Sequence, residues 1–211
     1  MWHFWWFTVA SKLSRRRLIG GTAALALLAA CKSDKGWHSL VVDGALRDLS
    51  FTMTRASDGK QVTEADYRGK LVMLFFGYTF CPDVCPLTMA NVATVLEKMG
   101  DKARDVAVLF TTVDPNRDTL PVLAAFTHSF GPEVDGLRGT DNALVRLTRQ
   151  FRVTYSVTPA TATQPYRVLH GPSIYVFDRA GHARLMVTKF YDSTADIAGV
   201  VADMERLQAE G

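Results

Sequence analysis

Cysteine is scarce in this chain, with three in 211 residues, and the odd number leaves at least one outside any intrachain pair. Acidic residues are missing altogether from residues 1–30, which hold Lys12, Arg15, Arg16 and Arg17. With those four cations set aside, 20 basic residues face 21 acidic ones, so the formal charge of +3 belongs to the leader. No later basic patch with interleaved aromatics appears, which excludes nucleic acid as a partner. Internal repeats and low-complexity tracts are also absent. One domain behind a leader suits this length, and a hydrophobic content of 48% is ample for its core.

Long apolar runs are lacking too. Leu18 to Ala30, thirteen residues after Ser14-Arg-Arg-Arg17, is too short to cross a bilayer core as a helix but suits a signal peptide. It ends in Leu28-Ala-Ala-Cys31, small residues before a cysteine, which resembles a bacterial lipobox. Residues 1–30 are therefore expected to be a lipoprotein-type signal peptide. Lipidated Cys31 would anchor the chain to the periplasmic or outer face of a bacterial membrane. Ser14-Arg-Arg-Arg-Leu-Ile19 also resembles a twin-arginine export signal, and the export route stays open. Residues 31–46, polar and Gly-containing, read as a tether, and residues 47–211 as the domain.

What the chain does have is Gly77-Tyr-Thr-Phe-Cys81-Pro-Asp-Val-Cys85-Pro86 at the end of the apolar run Leu71-Val-Met-Leu-Phe-Phe76. The run reads as a fully buried strand, and Leu87 to Met99 as a helix stopped by Gly100. A strand thus delivers two thiols to a helix N-terminus, where unpaired N–H groups and a partial positive charge favour thiolate over thiol. Thiolates attack disulfides and bind soft metals.

The remaining segments follow in order. Leu49 to Thr54 alternates as a strand and turns through Ser57-Asp-Gly59 into a second near Gln61-Val62. Val106 to Val113 is a second buried strand, ending at Asp114-Pro115. Helices are predicted from Asp118-Thr-Leu-Pro121, over Asp141 to Phe151, and from Ser193 to the end. Residues 152–168 read as a long irregular loop, of the kind that is usually functional. It leads to His170-Gly-Pro172, the strand Ser173 to Phe177 and a hairpin into Ala183 to Val187. This order is that of an α/β protein. It resembles a thioredoxin-like sandwich: a central mixed β-sheet flanked by helices, here with an N-terminal β-hairpin extension. In that fold the loop before the third core strand lies beside the thiols, and thioredoxins hold a cis-proline there. Pro172 falls at that place, and His170 two residues earlier is brought next to Cys85.

Two thiolates and an imidazole make a three-coordinate set. Cu(I) is soft and accepts it, whereas zinc normally asks for four ligands, or three and a water. The three-residue spacing lets both sulfurs point at one ion while still reaching each other for oxidation. Asp83 puts a carboxylate at the loop tip, either as a helix cap or for partner docking. Asp114 either pairs structurally with Arg117 or tunes the site. His128 and His182 read as solvated surface, and His38 as inert in the tether. A thiol–disulfide oxidoreductase using Cys81 and Cys85 as a redox pair stands as the alternative. A peroxidase is disfavoured, because Tyr78 and Pro82 stand three residues before the cysteines where that chemistry wants a threonine.

Four pieces in order, Arg68-Gly-Lys70, Tyr78 to Pro86, Thr112-Val-Asp-Pro-Asn-Arg-Asp-Thr119, and His170 ahead of Ile174-Tyr-Val-Phe-Asp178, resemble the SCO/SenC family of membrane-anchored copper proteins. The likeness covers about residues 48–209. It implies copper bound by Cys81, Cys85 and His170, as Cu(I) with Cu(II) left open. The acceptor would be cytochrome c oxidase subunit II, through its binuclear copper centre or cysteines kept reduced for it, or another copper or thiol protein. Two departures stand out. Pro172 is more thioredoxin-like than the family leads one to expect, and a lipobox replaces the usual membrane helix.

Overall fold

The structure, a computed structural model, describes residues 36–211. The leader, the twin-arginine motif and Cys31 lie outside the described residues.

An eight-stranded mixed sheet forms the centre, in the order β1-β10-β9-β4-β5-β6-β2-β3. Its middle is β4 (Leu71–Gly77), parallel to β5 (Val106–Thr112) on one side and antiparallel to β9 (Ile174–Phe177) on the other. Every residue of β4, β5 and β9 is buried. Sheets with both faces covered require continuous apolar strands, which is why these runs do not alternate. Beyond β5 lies parallel β6 (Val134–Arg138), then the antiparallel N-terminal hairpin of β2 (Thr52–Arg55) and β3 (Gln61–Thr63). On the far side β10 (Ala183–Val187) pairs with β9 and with β1 (Leu40–Val41).

Four α-helices cover the sheet: α1 (Val84–Met99), α2 (Leu120–His128), α3 (Asp141–Gln150) and α4 (Ile197–Glu210). Thr119 and Thr140 cap α2 and α3 by accepting the N–H of Val122 and of Ala143. At the end of α1, Gly100 takes a positive φ (56°) that glycine adopts without strain, at the place where sequence patterning puts a stop. No helix among the described residues is long and apolar enough to cross a membrane.

The α/β sandwich with its N-terminal hairpin agrees with the element order read from sequence. Three details differ. Part of the segment expected to be a free tether is docked. Just before β1, the backbone N–H groups of His38 and Ser39 donate to buried Asp203 on α4 (3.0 and 2.7 Å). Trp37 stacks under the Arg206 guanidinium, 3.9 Å from ring centroid to Cζ. Second, the irregular loop at 152–168 contains a hairpin, β7 (Tyr155–Thr158) against β8 (Arg167–His170), outside the main sheet. Its β-branched residues Val157, Thr158 and Val168 suit a pleated strand. Third, no peptide bond among the described residues is cis, so Pro172 takes the expected place without the thioredoxin-type isomer.

Candidate metal centre

Strand β4 carries the chain out of the core at Gly77, the one residue type that fits there. A Cβ on it would stand 2.8 Å from the Phe110 ring and 3.0 Å from Cys85 Sγ. The thiol is therefore seated directly against the strand backbone. After a short turn, in which Cys81 N–H donates to the Tyr78 carbonyl (3.2 Å), α1 begins. Cys85 is its second residue and fully buried, while Cys81 sits half-exposed just before it.

His170 ends β8. Because side chains alternate along a strand, Val168 and His170 share one direction. The imidazole lies edge-on to Phe75 and Tyr78, at 5.9 and 5.7 Å between ring centroids. Its Nδ1 is 3.2 Å from the Gly171 carbonyl. A carbonyl only accepts, so Nδ1 carries the proton and Nε2 presents its lone pair. Nε2 stands 3.2 Å from Cys85 Sγ.

The ligand atoms of Cys81, Cys85 and His170 all lie within 4.8 Å of one another, and both cysteines are free. Three atoms spread evenly around one ion at about 2.0–2.3 Å stand about 3.8–4.0 Å apart, so this set closes on one metal with a shift of up to about 1 Å. Two sulfurs and one imidazole nitrogen are soft to borderline donors, fitted to Cu(I) and too few for a closed zinc site.

The two thiols are electrostatically unequal. The hydrogen bond from Cys85 holds the Cys81 thiol far below its ordinary value, with help from His170 and from the N–H groups of Cys85 and Asp83 against the cost of burial. That same bond to Cys81, followed by burial, pushes the Cys85 thiol up. In the geometry, the Cys85 backbone N–H donates to Cys81 Sγ (3.4 Å) while the Cys85 thiol faces His170 Nε2. Tyr78 is pushed up to about 12, first by burial and then by the charge of the Cys81 thiolate.

The loop after β5 holds the two halves of the site in place. Buried Asp118 accepts the N–H and hydroxyl of Thr79 (3.0 and 2.7 Å) and the hydroxyl of Thr112 (2.6 Å), which pins the turn leading to Cys81. Buried Asp114 accepts from Arg117 Nε and from the Tyr166 hydroxyl, each at 2.6 Å, which pins the hairpin carrying His170. Arg117 also lies 3.8 Å over the Tyr166 ring and 4.9 Å over that of Phe80. Asp114 is thus paired with Arg117, one of the two roles open to it from sequence, and acts at a distance from the thiols. Asp83 is exposed at the N-cap position and makes no side-chain cap bond, so the capping role is set aside. His182 and His38 stand away from the centre on Asp48 and Asp196, and His128 is exposed.

Sequence reasoning missed Asp118 and Tyr166. The signals were a second acid four residues after Asp114 and a tyrosine four residues before His170.

The sequence profile of the family described as SCO1/SenC matches residues 44–208. The mitochondrial SCO2 homolog of Bos taurus is 35% identical over 150 residues, which are 70% of this chain and 54% of that protein. The chain thus spans about half the length of that relative. The structure of Bradyrhizobium japonicum ScoI with copper bound superposes with a TM-score of 0.66 at 32% identity, covering 76% of this chain and 98% of that one. A SCO1/SenC family lipoprotein from Bacillus anthracis str. Ames gives 0.65 at 26% identity, covering 85% and 99%.

Proposed function

Because the chain belongs to the SCO1/SenC family, one of copper-binding cytochrome c oxidase assembly proteins, we propose that it is a copper carrier. Cu(I) is its cargo, held by Cys81, Cys85 and His170 and passed to the binuclear copper centre of cytochrome c oxidase subunit II. The observation that carries this reading is the convergence of three such donors, Cys81 and His170 lining a groove of about 250 Å³ and buried Cys85 within ligand distance of both. The copper-bound state of the Bradyrhizobium protein supports it.

Loading follows from the unequal thiols. Cys81, already a thiolate, meets the ion first. Cys85 joins by giving up its proton, and His170 Nε2 completes the set. Unloading reverses the order: an acceptor thiolate displaces one ligand at a time, and the half-exposed Cys81 and His170 are the ligands it can reach. Cys31, by this reading, carries the lipid that holds the chain at the outer face of a bacterial membrane. A family member described as a lipoprotein lends support.

The inequality of the thiols also favours a second reading, thiol–disulfide exchange. The Cys81 thiolate would attack a target disulfide to give a mixed disulfide. Cys85, losing its proton, would then attack Cys81, releasing the reduced target and leaving a Cys81–Cys85 disulfide. His170 separates the readings, since exchange does not need it. The test is anaerobic Cu(I) transfer from the loaded chain to the soluble copper domain of oxidase subunit II. A carrier moves copper in one-to-one proportion and the His170→Ala variant does not. Reduction of the oxidised domain without copper movement, unaffected by His170→Ala, would assign the chain to exchange.

A further inference from the structure

Six of the thirteen arginines among the described residues, Arg55, Arg104, Arg117, Arg179, Arg184 and Arg206, have a carboxylate partner. Arg47, Arg146, Arg149 and Arg152 have none among the described residues, and all four are exposed. They line one cleft of about 510 Å³. Helix electrostatics accounts for two of them, because Arg146 and Arg149 lie toward the C-terminal end of α3, where cations are favoured. It does not account for Arg47, in the loop after β1, or for Arg152, beyond the helix. Arg152 moreover adopts φ 56°, the left-handed conformation that glycine or asparagine ordinarily supplies at a helix end. The turn itself is well made, with Val153 N–H on the Thr148 carbonyl (2.8 Å), and glycine would make it with less strain. The strained residue places a fourth guanidinium on the cleft.

Four cations in one concave surface repel each other, and an anion from outside relieves that repulsion. The cleft also leads to the metal centre. Arg152 lines a neighbouring groove of about 460 Å³ whose other walls include Tyr155, Leu169 and His170. Leu169 is 68% exposed there.

We propose that the arginine cleft docks an acidic segment of the protein that exchanges copper at His170, an inference that rests on the copper-carrier reading above. A protein occupant follows from the continuity of the two grooves. A partner reaching His170 passes over Leu169 and Arg152, whereas a bilayer seated on the same face would shut the imidazole off from any acceptor. Cations of this kind steer encounter and select partners more than they add affinity.

The probe is a fluorescein-labelled polyglutamate peptide, titrated by anisotropy with the full apo chain in neutral-lipid nanodiscs. Reversing Arg146→Glu and Arg149→Glu together is expected to weaken binding at least about tenfold, and Lys98→Glu on α1 to leave it unchanged. Raising the salt to physiological strength should weaken wild-type binding by a similar factor. Arg152→Gly relieves the left-handed backbone, so it keeps the fold and should still weaken the peptide about threefold. Equal binding by wild type and the double reversal overturns the proposal. So does loss of the peptide on moving the wild type into phosphatidylglycerol discs, which would assign the cleft to lipid headgroups. Because the apo chain is used, a failed Cu(I) titration removes the copper reading and is distinguished from a failed peptide titration.

Discussion

The two halves of the candidate metal centre are built to different standards of rigidity. Cys81 and Cys85 stand at the junction of β4 and α1, against the most deeply buried strand of the eight-stranded sheet. His170 stands at the end of a two-stranded hairpin outside that sheet, next to a residue as exposed as Leu169. The thiol half is held by core packing, including a cysteine pressed onto Gly77. The histidine half is fastened chiefly by the Tyr166–Asp114–Arg117 cluster and by ring contacts to Phe75 and Tyr78. Isolated two-stranded sheets are marginal in water, so this half opens at lower cost than the other. A carrier needs that difference: a fixed pair of sulfurs to keep its cargo and a third ligand that can let go.

Breaking the rigid half gives the largest effect. Cys85→Ser removes a thiolate from the buried side, and Cu(I) affinity should fall by far more than the roughly 10–100-fold typical of losing an outer-shell partner. Competition with a chromophoric chelator reads this directly. Gly77→Ala strikes the same half through packing. Its methyl group meets the Phe110 ring and the Cys85 sulfur, and urea unfolding should show a loss of about 1–3 kcal/mol. The histidine half is more forgiving. Tyr166→Phe deletes one hydrogen bond to Asp114, worth about 1–1.5 kcal/mol, so copper should leave about five- to tenfold faster. Hydrogen exchange at Leu169 and His170 should rise in that variant, while the reactivity of the thiols stays as it was.

The smallest change needs no mutation. The folded value of Cys81 is lowered, so its thiolate persists as pH falls through neutrality, while Cys85, raised, stays protonated. Iodoacetamide should therefore modify Cys81 alone, at a rate nearly flat from about pH 6 to 8, where an ordinary thiol changes about tenfold per unit.

The same contrast decides what could be read from sequence. The thiol half was legible because its signals are local and strong: an unbroken apolar strand, a glycine, two cysteines and a helical repeat within thirty residues. His170 was placed beside Cys85 only through the order of elements, since 85 residues separate the two. The hairpin was not legible. Residues 152–168 mix Pro159, Pro165 and β-branched residues with polar ones; Tyr155-Ser-Val-Thr158 alternates over only four residues, and the exposed Leu169 breaks the alternation of β8. Asp118 and Tyr166 escaped for a related reason. Each reaches the site through a partner distant in sequence, Thr79 for Asp118 and Asp114 for Tyr166, and no spacing rule announces such a partner. The docking of Trp37 and His38 on α4 likewise rests on Arg206 and Asp203, which sequence alone does not bring near them.

The most direct test is an anaerobic Cu(I) titration of the reduced full chain against a competing chelator, with His170→Ala beside it. A single tight equivalent in the wild type, weakened in the variant while the two thiols still titrate, is the predicted result: a three-ligand site assembled from a fixed half and a releasable one. Equal affinity in both proteins would contradict the account, because it would leave the hairpin and its histidine without a part in holding copper.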